Sequence, residues 1–109
     1  MKIAIIGSRG IKNAPIDHHV SVGDEIVSGG AEGVDTCAAK YAREKGIKLT
    51  VFLPEYSLYG RGAPLVRNRK IVEYADKVIA FWDGKSKGTL FTINYAKKIK
   101  KECLIILCE

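Results

Sequence analysis

Glu25-Ile26-Val27-Ser28-Gly29-Gly30-Ala31-Glu32-Gly33-Val34-Asp35 passes from a short apolar run through a glycine-rich turn into a helical pattern. From Glu32 to Glu44, the residues Val34, Cys37, Ala38, Tyr41 and Ala42 recur at helical spacing, and Gly46 supplies a C-terminal stop. The small residues Ala38, Ala39 and Ala42 let such a helix lie close to a sheet. A strand, a glycine turn and a helix in that order form the repeating unit of an α/β fold.

The flanking sequence repeats the unit. Lys2–Ile6, Lys48–Leu53, Lys77–Trp82 and Leu104–Leu107 are further short runs rich in β-branched residues. They are apolar without clean alternation, as expected of strands covered on both faces in a parallel sheet. A second helix is predicted from Pro64 to about Tyr74, with proline at a favoured first position. A third is predicted from about Gly88 to Lys100, with Ile93, Ala96 and Ile99 facing inward. Between Ile11 and Gly23 there is room only for a short helix around Ile16–Val20. The expectation is one α/β domain over residues 1–109, a Rossmann-like three-layer fold with a mostly parallel five-stranded sheet.

Composition fits this size and class. The chain has 109 residues, 47% hydrophobic and 28% charged, enough for one core. The apolar run at Ile3–Ile6 is too short for a signal-peptide core or a membrane span, so a soluble, cytoplasmic protein is expected, with no membrane partner. Cys37, Cys103 and Cys108 match no zinc spacing, and His18-His19 has no carboxylate or cysteine at metal-ligand sequence spacing, so no metal is expected. The net charge of +6 suits an anionic ligand, but much of it lies in Lys97-Lys98-Ile99-Lys100-Lys101. There it complements a helix C-terminus.

In open α/β sheets ligands bind beyond the carboxyl ends of the strands. Three of those ends are glycine turns: Gly7-Ser8-Arg9-Gly10, the Ser28–Asp35 turn, and Asp83-Gly84-Lys85-Ser86-Lys87-Gly88-Thr89. Glycines there let backbone amides approach an anion, and two of the turns feed helix N-termini, where free amides favour phosphate. Two standard nucleotide motifs fail. Gly84-Lys85-Ser86 resembles the end of a P-loop, but Ile79 stands where its first glycine belongs; no GxGxxG is present.

Among the polar residues, Arg9 directly follows the first strand and reads as a phosphate clamp. Asp35 has two readings, a ribose-hydroxyl acceptor or a carboxylate that stabilises its helix start. Asn68 falls on the stripe of Ile71, Val72 and Ala75, an apolar face where a polar group needs partners. Arg67, Arg69 and Lys70 crowd a helix N-terminal half, unfavourable for cations unless an anion is near. Tyr56 and Tyr59 lie in a loop and serve either as an aromatic lid or as ordinary loop packing.

Gly7-Ser8-Arg9, the Ser28–Asp35 turn, the Tyr59-Gly60 to Arg67-Asn68 segment and Phe81–Thr89 together resemble the SLOG superfamily, which groups the DprA/Smf proteins with LOG-type enzymes. The similarity is greatest to its small YspA/YpsA-related branch. It implies a Rossmann-like sheet and binding of nucleotides or nucleotide-derived ligands. LOG enzymes cleave cytokinin riboside monophosphates with an arginine in an RxRK-like segment and a glutamate in PGGxGTxxE. Arg69 stands in the arginine's place, but Thr92 stands where the glutamate belongs, leaving Asp35 or Asp83 as substitutes.

The expected function is binding or sensing of a nucleotide or other phosphorylated small molecule. The expected ligand contacts are Gly7, Ser8, Arg9, Ser28, Gly29, Gly30, Asp35, Arg67, Asn68, Asp83, Gly84, Ser86, Gly88 and Thr89. The alternatives are a LOG-type phosphoribohydrolase, with Arg69 and Asp35 as catalytic candidates, and single-stranded nucleic-acid binding of DprA type. No cofactor is expected, and the resemblance implies a homo-oligomer.

Overall fold

The computed structural model describes residues 1–108. Five strands, β1 (Lys2–Gly7), β2 (Glu25–Ser28), β3 (Lys48–Val51), β4 (Lys77–Trp82) and β5 (Glu102–Leu107), form one sheet in the order 3-2-1-4-5. Every neighbouring pair is parallel, with Ile3 beside Ile26 and Lys77, and Val78 beside Cys103. The helices are α1 (Val34–Lys45), α2 (Tyr56–Tyr59), α3 (Ala63–Tyr74) and α4 (Lys87–Lys98). This is a Rossmann-like three-layer α/β fold.

Alternation along the strands sorts the core into two halves. Ile3, Ile5, Ile26, Ile79 and Phe81 face α1, whose Ala38 and Ala42 are buried against them. Ala4, Ile6, Val27, Val78 and Ala80 face the other way, under Ile71 and Val72 of α3 and Ile93 and Ala96 of α4. Both faces of β1 and β4 are covered, which is why those strands read as unbroken apolar runs. Gly46 closes α1 in the left-handed conformation (φ 66°), and the Ile47 amide returns to the Ala42 carbonyl.

Several boundaries differ from the sequence expectation. β3 ends at Val51 rather than Leu53, because Pro54 offers no amide and the last bond to β2 runs from the Phe52 amide to the Ser28 carbonyl. β5 begins at Glu102, two residues early. The Ile16–Val20 helix is a single 3-10 turn, Ile16–His18, closed by the His19 amide on the Ile16 carbonyl. It buries Ile16 and Val20 and sets His19 edge-on against Phe81. Ile99 does not face inward: α4 stops at Lys98 and Lys100 turns the chain with φ 59°, leaving Ile99 at the exposed helix end. The short α2 replaces what reads as loop.

Candidate functional site

The turns after β1, β2 and β4 meet at one edge of the sheet, around an open cavity of about 450 Å³. The glycines there divide by what surrounds them. A Cβ on Gly7 would overlap the Phe81 carbonyl and Val34, and one on Gly33 would overlap the backbone of Ser8 and Arg9. A Cβ on Gly29 would sit 2.6 Å from the Arg67 guanidinium. These three are demanded by close packing of the turns on one another. Gly10 and Gly88 have nothing within 4 Å of a Cβ, and both line the cavity.

Arg67 holds the site together. It projects from α3 on the same stripe as Ala63 and Ile71, so it points into the protein, only 7% exposed. Its Nη1 donates to the Gly29 carbonyl and, at 3.5 Å, to that of Phe52. Its Nε donates to Asn68 Oδ1 at 2.7 Å. Asn68 Nδ2 then donates to the Thr92 hydroxyl (2.9 Å), which donates to the Gly88 carbonyl (2.9 Å). A continuous chain of hydrogen bonds thus ties the β2 turn through α3 to the first turn of α4. Among the described residues no carboxylate lies within ion-pair distance of Arg67. Burial pushes its pKa below the usual arginine range, and the more distant Asp35 charge opposes that.

Asp35 sits in the first turn of α1, also buried, and accepts a 3.0 Å bond from the Ala31 amide. Burial holds its carboxyl above the ordinary range, against the opposing effects of that amide and of Arg67. The Ser28 hydroxyl lies near this carboxylate without meeting hydrogen-bond geometry. It is the one buried side-chain polar atom without a partner among the described residues.

The β4–α4 turn satisfies most of its own amides. Asp83 Oδ1 accepts from the Lys85 and Ser86 amides at 2.8 Å each, which holds Asp83 below the ordinary carboxylate range. Ser86 caps α4 by accepting from the Thr89 amide, and the Asp83 amide donates to the Ser8 hydroxyl at 3.2 Å. The amides of Lys87 and Gly88, in the first turn of a 12-residue helix, have no protein partner among the described residues.

Of the sequence candidates, Gly7, Ser8, Arg9, Asp35, Arg67, Asn68, Asp83, Ser86, Gly88 and Thr89 line the cavity. Ser28, Gly29, Gly30 and Gly84 do not; they stand behind the wall or, for Gly30 and Gly84, on the exposed turns beside it. Arg69 is exposed and outside the cavity, two residues round the helix from Arg67. Ile6, Gly10, Ala31, Pro64, Leu65 and Ile71 complete the wall together with Thr92, which the sequence marked only as the residue in the glutamate's place. The Thr92 position was legible as the same α4 face as Gly88 and Thr89, one helical turn on. Among the described residues no cluster of His, Cys, Asp or Glu is arranged to hold a metal, and no helix is long and apolar enough to cross a membrane.

Fold and cavity together define a Rossmann-like α/β domain with its cleft at the carboxyl edge of the sheet. No protein-family model matches the chain, and no curated protein matches it. Among solved structures it is similar to DNA processing protein A from Helicobacter pylori, described for its unique single-stranded DNA binding mode. The TM-score is 0.74 at 26% identity, over all of this chain and 66% of that one. It is also similar to TM1055, a structural-genomics target solved by X-ray methods, with TM-score 0.71 and 20% identity over 94% of this chain and 71% of that one. The first likeness supports the relationship to the SLOG superfamily, with its DprA and LOG-like branches, that the motifs indicate. The second shows the shared fold.

Proposed function

We propose that this domain binds a nucleotide or nucleotide-derived phosphorylated ligand, with an anionic group seated between Arg67 and the first turn of α4. Arg67 carries the reading. Among the described residues this buried guanidinium bonds only neutral oxygens, so it has given up much of its hydration without gaining a contact counter-ion there, a costly arrangement that an anion would relieve. The unpartnered Lys87 and Gly88 amides and the open space beside Gly88 supply the facing half of such a site. Arg9, exposed at the rim, adds charge. Calorimetric titration with ribose 5-phosphate tests this. Saturable binding that is lost in Arg67→Met, with the variant still folded by circular dichroism, is the expected result; equal binding by wild type and variant would remove Arg67 from the site.

Single-stranded DNA is the second reading, favoured by the likeness to DNA processing protein A and by exposed Arg9, Arg61, Lys85 and Lys87 on the same edge of the sheet. Affinity that rises with oligonucleotide length and falls steeply with salt supports it; length-independent binding of mononucleotides supports the first.

A further inference from the structure

A second concavity, about 300 Å³, opens beside the first between β3 and α3. Its walls include Val51, Leu53, Tyr59, Ala63 and Val66, with the paired Glu55 and Lys70 at one side and Arg67 as the wall it shares with the cavity described above. The apolar surface is left open to solvent: Leu53 is 65% exposed, Tyr59 43% and Val51 41%. Large apolar side chains grouped this way in a concave surface mark a binding groove more often than a chance patch.

Three observations join the groove to the anion site. Arg67 bonds the Gly29 carbonyl on the side of the β2 turn and the Phe52 carbonyl on the side of β3, and it lines both spaces. Gly30, in the left-handed conformation, abuts both Leu53 and Val51, and the next residue, Ala31, lines the main cavity. No side chain on Gly30 stands between the two. Tyr59, finally, presents its ring at the groove wall with one cation contact: Lys70 Nζ lies 5.4 Å over the ring and pairs with Glu55 at 3.0 Å. That contact favours the ring's place beside the groove, where a flat group can pack on it.

We propose that this groove receives the heterocyclic base of the ligand, so that the ligand class is a nucleotide lying across the Gly30-Ala31 turn rather than a sugar phosphate alone. This rests on the proposed anion site, since the groove has no anion-binding chemistry of its own beyond the shared Arg67 and the paired Lys70. A flat, largely apolar, polarisable group matches the Leu53, Val51 and Val66 walls and the Tyr59 ring; a bare sugar would leave them exposed to water.

Isothermal titration of the full chain with AMP, adenosine and ribose 5-phosphate, in wild type, Leu53→Asp and Tyr59→Ala, separates the claims. Leu53 and Tyr59 are both well exposed, so the variants keep the fold, which thermal unfolding verifies. The expected pattern is AMP tighter than ribose 5-phosphate, AMP weakened about 10-fold or more in each variant, and ribose 5-phosphate unchanged within about 2-fold. Ribose 5-phosphate binding with no gain for AMP, or AMP indifferent to both variants, overturns the base groove and leaves the anion site standing. Adenosine binding that depends on Leu53, with no ribose 5-phosphate binding, keeps the groove and overturns the anion site. No binding of any of the three overturns both.

Discussion

Gly88→Ala separates fold from ligand at a single atom. Gly88 lies in the first turn of α4, at an ordinary helical conformation, and a Cβ there meets no protein atom within 4 Å. The fold thus has no steric use for this glycine. Replacing it with alanine removes the backbone-entropy cost of glycine in a helix, up to about 1 kcal/mol, and converts at about 4–8 °C per kcal/mol into a raised Tm. The same methyl enters the cavity against the wall where the Lys87 and Gly88 amides are unpartnered. Displacing an anion from one such amide removes a charge-assisted hydrogen bond of about 1.5–3 kcal/mol, a loss of about 10- to 100-fold in affinity. Thermal unfolding followed by circular dichroism and calorimetric titration with ribose 5-phosphate read the two effects in one preparation. A variant that is at least as stable as wild type yet binds about 10-fold more weakly is expected. A variant that binds as wild type does would refute the reasoning, because no anion could then sit against this turn.

Three further outcomes follow from the same geometry. Gly29→Ala places a Cβ 2.6 Å from the Arg67 guanidinium, forcing it off the Gly29 carbonyl; a loss of about 1–3 kcal/mol in urea unfolding, together with weakened anion binding, is expected. For Asp35, burial raises the carboxyl, so the folded state resists its ionisation: that resistance costs stability above the folded-state pKa and disappears below the unfolded value of about 4. Asp35→Asn, whose amide oxygen can still accept from Ala31, should therefore melt higher than wild type at pH 7, with the gain shrinking as pH falls and gone near pH 4; a constant gain across that window contradicts the assignment. Incubation with AMP should release no adenine, since Thr92 spends its hydroxyl on Gly88 and Asn68 and no carboxylate occupies its place; release measured by chromatography and lost in Asp35→Asn would establish hydrolysis instead.

The sheet and its helices were legible because both depend on local signals. Unbroken apolar runs such as Lys77–Trp82 mark strands covered on two faces, and glycine after Lys45 marks a helix end. The cavity was legible as a neighbourhood more than as a contact set. Counting glycines at strand ends found the edge of the sheet where the cavity opens, but Gly7, Gly29 and Gly33 answer to clashes with residues distant in sequence, 38 residues apart in the case of Gly29 and Arg67, which no local pattern reveals. Asn68 on an apolar stripe demanded partners, and it has two, Arg67 and Thr92. Motif likeness favoured Arg69 as the reactive arginine; helical phase, with Arg67 four residues before Ile71, puts Arg67 inside and Arg69 out. The groove at Leu53 was not legible, since it arises only when β3 ends early and α2 folds Tyr59 back toward α3.

The central claim, an anion held between Arg67 and the α4 turn, is tested most directly by titrating ribose 5-phosphate into ¹⁵N-labelled protein and following the amides of Lys87, Gly88 and Ala31 with the Arg67 Nε–H. These four signals should shift together along one saturating curve. Shifts confined to the lysine-rich end of α4 at Lys97–Lys101, or absent from Gly88 and Arg67 when the ligand is in millimolar excess, would contradict it.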